Sequence, residues 1–127
     1  MIIGIGTDIV GISRVKAIYD KYPEIFPMKI LGVEELESFN QIILPQKKVS
    51  YLAKRFAAKE ACVKALGSGF RNGIVLSDIV VVNNSLGKPE IKLSDKISKT
   101  LPKNYKIFLS IADEQESAIA FVVIQEV

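Results

Sequence analysis

Residues 2–12, IIGIGTDIVGI, alternate with a period of two that puts Gly4, Gly6, Asp8, Val10 and Ile12 on one face, the pattern of a half-buried strand. The period then changes. Val15, Ile18, Tyr19 and Tyr22 form the apolar stripe of a helix, with Ser13 placed as its N-cap and Pro23 as its stop. Residues 23–32 hold two prolines and a glycine and predict irregular chain, while 32–42, GVEELESFNQI, predict a short helix with three acids near its start. From Gln46 to Leu66 the chain lacks Gly and Pro, is rich in Ala, Lys and Leu, and meets Gly67 at its end, which predicts a long central helix. A glycine-rich turn follows, GSGFRNG at 67–73, and then a strand at 74–83, the turn NNSLGKP and a return strand at 89–93. A small helix is expected at 94–102, and two final strands, 105–112 and 117–127, are joined by the polar DEQE. Helices and strands mix without a regular βαβ rhythm, so the expected class is α+β, a mainly antiparallel sheet packed against the long helix.

Composition narrows the chemistry. The chain has 127 residues, 49% of them hydrophobic and 24% charged, which suits a single folded domain spanning 1–127 rather than a disordered tail. There is no histidine, which excludes histidine general bases, Ser/His/Asp and Cys/His nucleophile systems within one chain, and imidazole zinc sites. Cys62 is the one cysteine, so no internal disulfide forms, and a lone thiol suits a reducing cytoplasm. No basic leader precedes Asp8, and the apolar runs fall short of the roughly 18 residues of a membrane span, so no membrane role is expected.

Two carboxylates break the apolar pattern. On a helical wheel Val49, Ala53, Phe56 and Val63 fall within about 60° of Glu60, which centres that acid in an apolar stripe and predicts its burial. Either Glu60 pairs with Lys64 one turn on, or it binds a cation. Asp8 lies within a β-branched strand, with glycine neighbours leaving room for something to approach; an edge or strand-end position is the other reading. Two such acids on neighbouring elements would make a hard oxygen site suited to Mg²⁺. After the long helix, Gly67-Ser68-Gly69 offers backbone amides for phosphate or serves only as helix cap and turn; it lacks the GK[ST] ending of a Walker loop. The net charge of +3 is unevenly spread: Lys47, Lys48, Lys54, Arg55, Lys59, Lys64 and Arg71 face one acid, Glu60, in residues 47–71, a field suited to polyphosphate. Cys62 lies almost opposite Glu60 and reads as packing, not as a nucleophile.

The blocks GIGTDIVGISR, 4–14, and RFAAKEACVKALGSG, 55–69, with MKILGVEELESF, LGKP and LSIADEQESAIAFVVI in matching order, make the chain similar to the short class of 4′-phosphopantetheinyl transferases. The resemblance implies Mg²⁺, coenzyme A as donor, and transfer of its phosphopantetheine arm to a serine of acyl carrier protein in fatty acid biosynthesis, with release of adenosine 3′,5′-bisphosphate. It also implies a homotrimer with active sites shared across subunit interfaces. By the same resemblance Asp8 and Glu60 are metal ligands and Lys64 meets the pyrophosphate, with Gly67, Ser68 and Gly69 as the loop beside it. Lys88 and Pro89 fall near the adenosine end, and Arg14, helped by Lys21, meets the acidic carrier. One departure stands out: Ala112-Asp113 replaces the family's usual Ser-His, and an ionised Asp donates no hydrogen bond to phosphate.

Transfer from a pyrophosphate calls for charge neutralisation and in-line positioning. With no histidine, the carrier serine's proton would leave to a metal-bound water or hydroxide, or to a carboxylate. Two rivals remain: a nucleic-acid or nucleotide module whose helix at 47–66 tracks phosphates, and another coenzyme A chemistry such as acyl transfer, which needs no divalent ion.

Overall fold

The computed structural model describes residues 1–127, apart from the side chain of Asn72. Strand β1 (Ile2–Gly11) leads into α1 (Ile12–Lys21), α2 (Ile25–Ile30), α3 (Val33–Gln41) and the long α4 (Pro45–Leu66). Single 3₁₀ turns at Arg71–Gly73 and Leu76–Asp78 precede β2 (Ile79–Asn83), and β3 (Pro89–Leu93), α5 (Asp95–Ser98), β4 (Tyr105–Asp113) and β5 (Ser117–Glu126) complete the chain. All strand pairs are antiparallel: β1-β5-β4 form one sheet with β5 in the middle, and β2-β3 form a separate hairpin. The α+β class holds.

Helix α4 lies directly on the three-stranded sheet, and small residues set how closely. Ala57, Ala58 and Ala61 of α4 and Ala118 and Ala120 of β5 are buried at the contact. Gly6 approaches so near that a Cβ built on it would stand 2.7 Å from Ala65 N, and one on Gly4 would stand 2.9 Å from Ala65 C. The space that the two glycines leave is therefore taken by the helix backbone and not by a ligand. Since α4 is also covered by α1, α2 and β2, its buried positions run all round, from Leu52 and Arg55 to Lys59 and Val63. Pro45 occupies its first turn, where the missing N–H costs nothing, and Gly67 closes it in the left-handed conformation, φ 78°.

Three local expectations change. Helix α1 starts one residue before Ser13, with Gly11 as N-cap, because the Ile12 N–H bonds Glu116 O at 2.9 Å and carries the chain straight from strand to helix. Residues 25–30 are helical despite Pro27, which sits in the first turn among amides that lack intrahelical partners anyway. The strand expected from Ile74 begins only at Ile79, since the Asp78 carboxylate accepts the Val75 N–H at 3.0 Å and curls Leu76–Asp78 into a turn.

Candidate active site

Asp8 sits well inside β1, opposite Ala120, on the face turned to α4. It is on an edge strand but points inward and is half-buried. Glu60 and Lys64, one helical turn apart, reach toward the same place from α4. Lys64 Nζ donates to Asp8 Oδ1 at 3.1 Å and to Thr7 O at 3.0 Å. The ammonium thus bridges helix and strand, and the ion pair once open between Glu60 and Lys64 is instead made with Asp8.

Glu60 is half-buried rather than fully buried, which corrects the helical-wheel expectation. Burial first, and the neighbouring Asp8 charge second, push its carboxyl above the ordinary glutamate range, with Lys64 pulling it part of the way back. Two carboxylates this close form a local demand for positive charge. A cleft of about 580 Å³ opens beside Glu60, walled by Met28 and Lys29 of α2, Phe70, and Val75 and Leu76 before β2.

The charges hidden in α4 are others. Lys59 is 0% exposed and Arg55 is 8% exposed; both turn toward Glu35 of α3, itself 1% exposed. Lys59 Nζ donates to Glu35 Oε1 at 2.6 Å and to Ile30 O, while Glu35 accepts the amides of Gly32 at 2.9 Å and Val81 at 3.1 Å. Burial holds the Lys59 ammonium below the usual lysine range, and Glu35 draws it back up. The basic field of residues 47–71 is accordingly smaller outside than its residue count implies. Wheel geometry missed this network; its one sequence trace is the acid-rich first turn of 33–37, where Glu35 sits at N3 facing the Gly32 amide.

Beyond α4, the Gly67 N–H is taken by Val63 O and Lys64 O at 3.2 Å each, so it is not an amide open to a ligand. Among the described residues the Ser68 and Gly69 amides take no backbone partner, and the loop is open around both glycines. Arg14 and Lys21 lie exposed on α1, two turns apart and hence on one face. Lys88 ends the turn before β3 and Pro89 begins the strand, which packs against β4 and α5. Asp113 ends β4 and accepts a hydrogen bond from Ser50 of α4 at 3.2 Å. Cys62 is wholly buried, and burial pushes its thiol up to about 12.

A strand acid and a helix acid, with one lysine bonded to the first and close to the second, stand just ahead of a glycine loop. A family model for the 4′-phosphopantetheinyl transferase superfamily matches residues 4–122, and the chain belongs to that family of transferases. The particular relatives are holo-[acyl-carrier-protein] synthases. That of Wolbachia pipientis is 47% identical over 124 residues, covering 98% of each chain. The crystal structure of the Neisseria meningitidis synthase superposes with a TM-score of 0.89 at 42% identity, covering 99% of this chain and 100% of that one. The Bacillus anthracis synthase, solved in complex with CoA (3′,5′-ADP), gives 0.82 at 33% identity, covering 100% and 99%.

Proposed function

We propose that this chain transfers the 4′-phosphopantetheine arm of coenzyme A to a serine of apo acyl carrier protein, releasing adenosine 3′,5′-bisphosphate, in service of fatty acid biosynthesis. The observation that carries this reading is the Asp8–Lys64 bridge with Glu60 beside it, set in a chain whose relatives bear the synthase name.

Mg²⁺ fits the residues present. Among the described residues no three His, Cys, Asp or Glu side chains converge, so Asp8 and Glu60 would be the only carboxylate ligands, leaving positions for water and phosphate oxygens. When bound there, the ion would neutralise pyrophosphate charge and relieve its repulsion of an incoming oxygen. Lys64, exposed at its tip, is placed to meet the leaving bisphosphate, and the Ser68 and Gly69 amides stand next to it. The carrier hydroxyl's proton has only carboxylates or solvent to take it, since the chain has no histidine. Lys88 and Pro89, on their separate hairpin, are assigned to the adenosine end of the donor.

Arg14 and Lys21 share their face of α1 with exposed Ile18 and Tyr22, a basic and apolar surface suited to an acidic amphipathic helix of the carrier. On the far side of the sheet from α4, Ile5, Ile9, Phe108, Ile119 and Phe121 are all exposed, a continuous apolar face that a homotrimer would cover. Residues 1–127 then act as one domain in the cytoplasm, where a buried unpaired thiol such as Cys62 persists. No nucleic-acid partner is assigned: Arg55 and Lys59 turn inward and break up the basic face of α4. No membrane partner is assigned; among the described residues no helix is long and apolar enough to cross one.

The deciding experiment incubates the protein with coenzyme A, Mg²⁺ and an apo carrier, followed by intact mass. A phosphopantetheine-sized gain on the carrier serine is expected. An acyl-sized gain, or none, would refute the reading.

A further inference from the structure

Glu35 and Lys59 are the most deeply buried charged pair among the described residues, and neither touches the Asp8–Glu60–Lys64 group. A buried ion pair is weak evidence for stability, since well-packed apolar residues of similar volume often serve the core as well. Directional bonds are what an apolar pair lacks. Lys59 Nζ holds Ile30 O, at the end of α2, and Glu35 Oε1; Glu35 holds the Gly32 amide at the entrance of α3 and the Val81 amide in β2. Of these elements α2 and α4 line the cleft beside Glu60, and the segment that leads into β2 forms another of its walls. Met28 and Lys29 stand just before Ile30 on α2, Leu76 leads into β2, and Glu60 follows Lys59 on α4.

We infer that the Glu35–Lys59 pair is a positioning device: it fixes the separation of α2 and the entrance of β2 from the turn of α4 that carries Glu60, and so aims Glu60 into the cleft. The inference rests on Glu60 belonging to the transfer reaction proposed above. Neither residue of the pair is a catalytic group, since both are sealed from the cleft and from any substrate. Their contribution belongs in turnover rather than in substrate affinity, because the surfaces that meet coenzyme A and carrier lie on α1, at the end of α4 and its loop, and at the hairpin turn before β3, whereas the pair bonds that hairpin at Val81, within β2 and away from the turn.

The test uses Glu35→Gln, Lys59→Met and the double variant. Each single variant leaves one of the two charges buried without its partner and is at risk of not folding; the double one removes the pair together, while Arg55, 3.8 Å from Glu35, keeps its place over the Tyr51 ring at 4.4 Å, and it decides the matter. Steady-state transfer is measured per folded molecule, with circular dichroism and the thermal midpoint reporting the folded fraction. The double variant should lose about ten- to a hundredfold in kcat, the scale of a displacement far from the chemistry, while KM for coenzyme A and for carrier stays within about twofold. Where the single variants fold, the double loss should not exceed the larger single loss, because the pair acts as a unit. A kcat within about threefold of the wild type, or a loss confined to KM, would show only a core tie and overturn the inference. An inactive wild type would overturn the transfer reading itself, and the inference with it.

Discussion

Gly6→Ala is a sharp probe of how the site is assembled. The added Cβ would stand 2.7 Å from Ala65 N, nearer still to Ala61 O, and ordinary contact begins at 3.4 Å, so β1 and α4 must separate by at least 0.7 Å. Both obstacles are helix backbone, which cannot swing aside as a side-chain tip would. Overpacking of this kind costs about 1–3 kcal/mol. For a chain of this size that is a fall of about 3–5 °C in thermal midpoint per kcal/mol. Asp8 lies two residues further along the same strand, and its 3.1 Å contact with Lys64 spans the gap that would widen. Transfer should therefore fall by about a hundredfold, more than the loss of folded protein accounts for. Gly11→Ala is the control: on the same strand its Cβ would meet only Arg14 methylenes at 3.9 Å, so the cost is no more than about 1 kcal/mol, that of alanine at the N-cap of α1, with no separation of β1 from α4. Thermal unfolding and intact-mass transfer assays on both variants decide. If Gly6→Ala keeps the wild-type midpoint and rate, close packing of β1 on α4 does not set the site.

Lys64→Met should leave stability within about 1 kcal/mol, because the ion pair is exposed at the lysine end, yet transfer should drop by about a hundredfold; a rate close to wild type refutes a phosphate role. Glu60→Gln should abolish Mg²⁺-dependent transfer. It should also flatten a pH effect measured in chelator: with its folded pKa raised, wild-type Glu60 favours folding below the ordinary glutamate value and loses that as pH rises through the folded one, so a variant showing the same slope contradicts the assignment. Arg14→Ala should weaken carrier binding, with coenzyme A affinity unchanged in calorimetry, and added salt should mimic it; equal loss of both affinities counts against the docking face. Cys62 should resist thiol reagents until the chain unfolds, and stability should fall above about pH 9 by up to about 4 kcal/mol, since the unfolded thiol ionises there while the folded one waits until about 12; rapid labelling of folded protein would refute its burial.

Local patterning was enough to place most elements and to mark Asp8 and Glu60. Alternation over residues 2–12 named the inward face of β1 position by position, because a strand's period of two depends only on neighbours along the chain. The long helix was legible from its composition and from the Gly67 stop. A helical wheel, however, assumes one buried side, and α4 is wrapped by a sheet, helices and a hairpin, so it hides Lys59 and Arg55 and leaves Glu60 half open. Pairing was beyond reach for the same reason: Lys64 chose Asp8, 56 residues away, over Glu60 on its own helix. Sequence alone determined the elements and the two acids that break their pattern, since both follow from local period and the cost of burying charge. Which charges are sealed, which partner each takes, and why two glycines stand beside Asp8 were decided only when α4 settled on the sheet, because burial and ion pairing are properties of surfaces that meet across the chain.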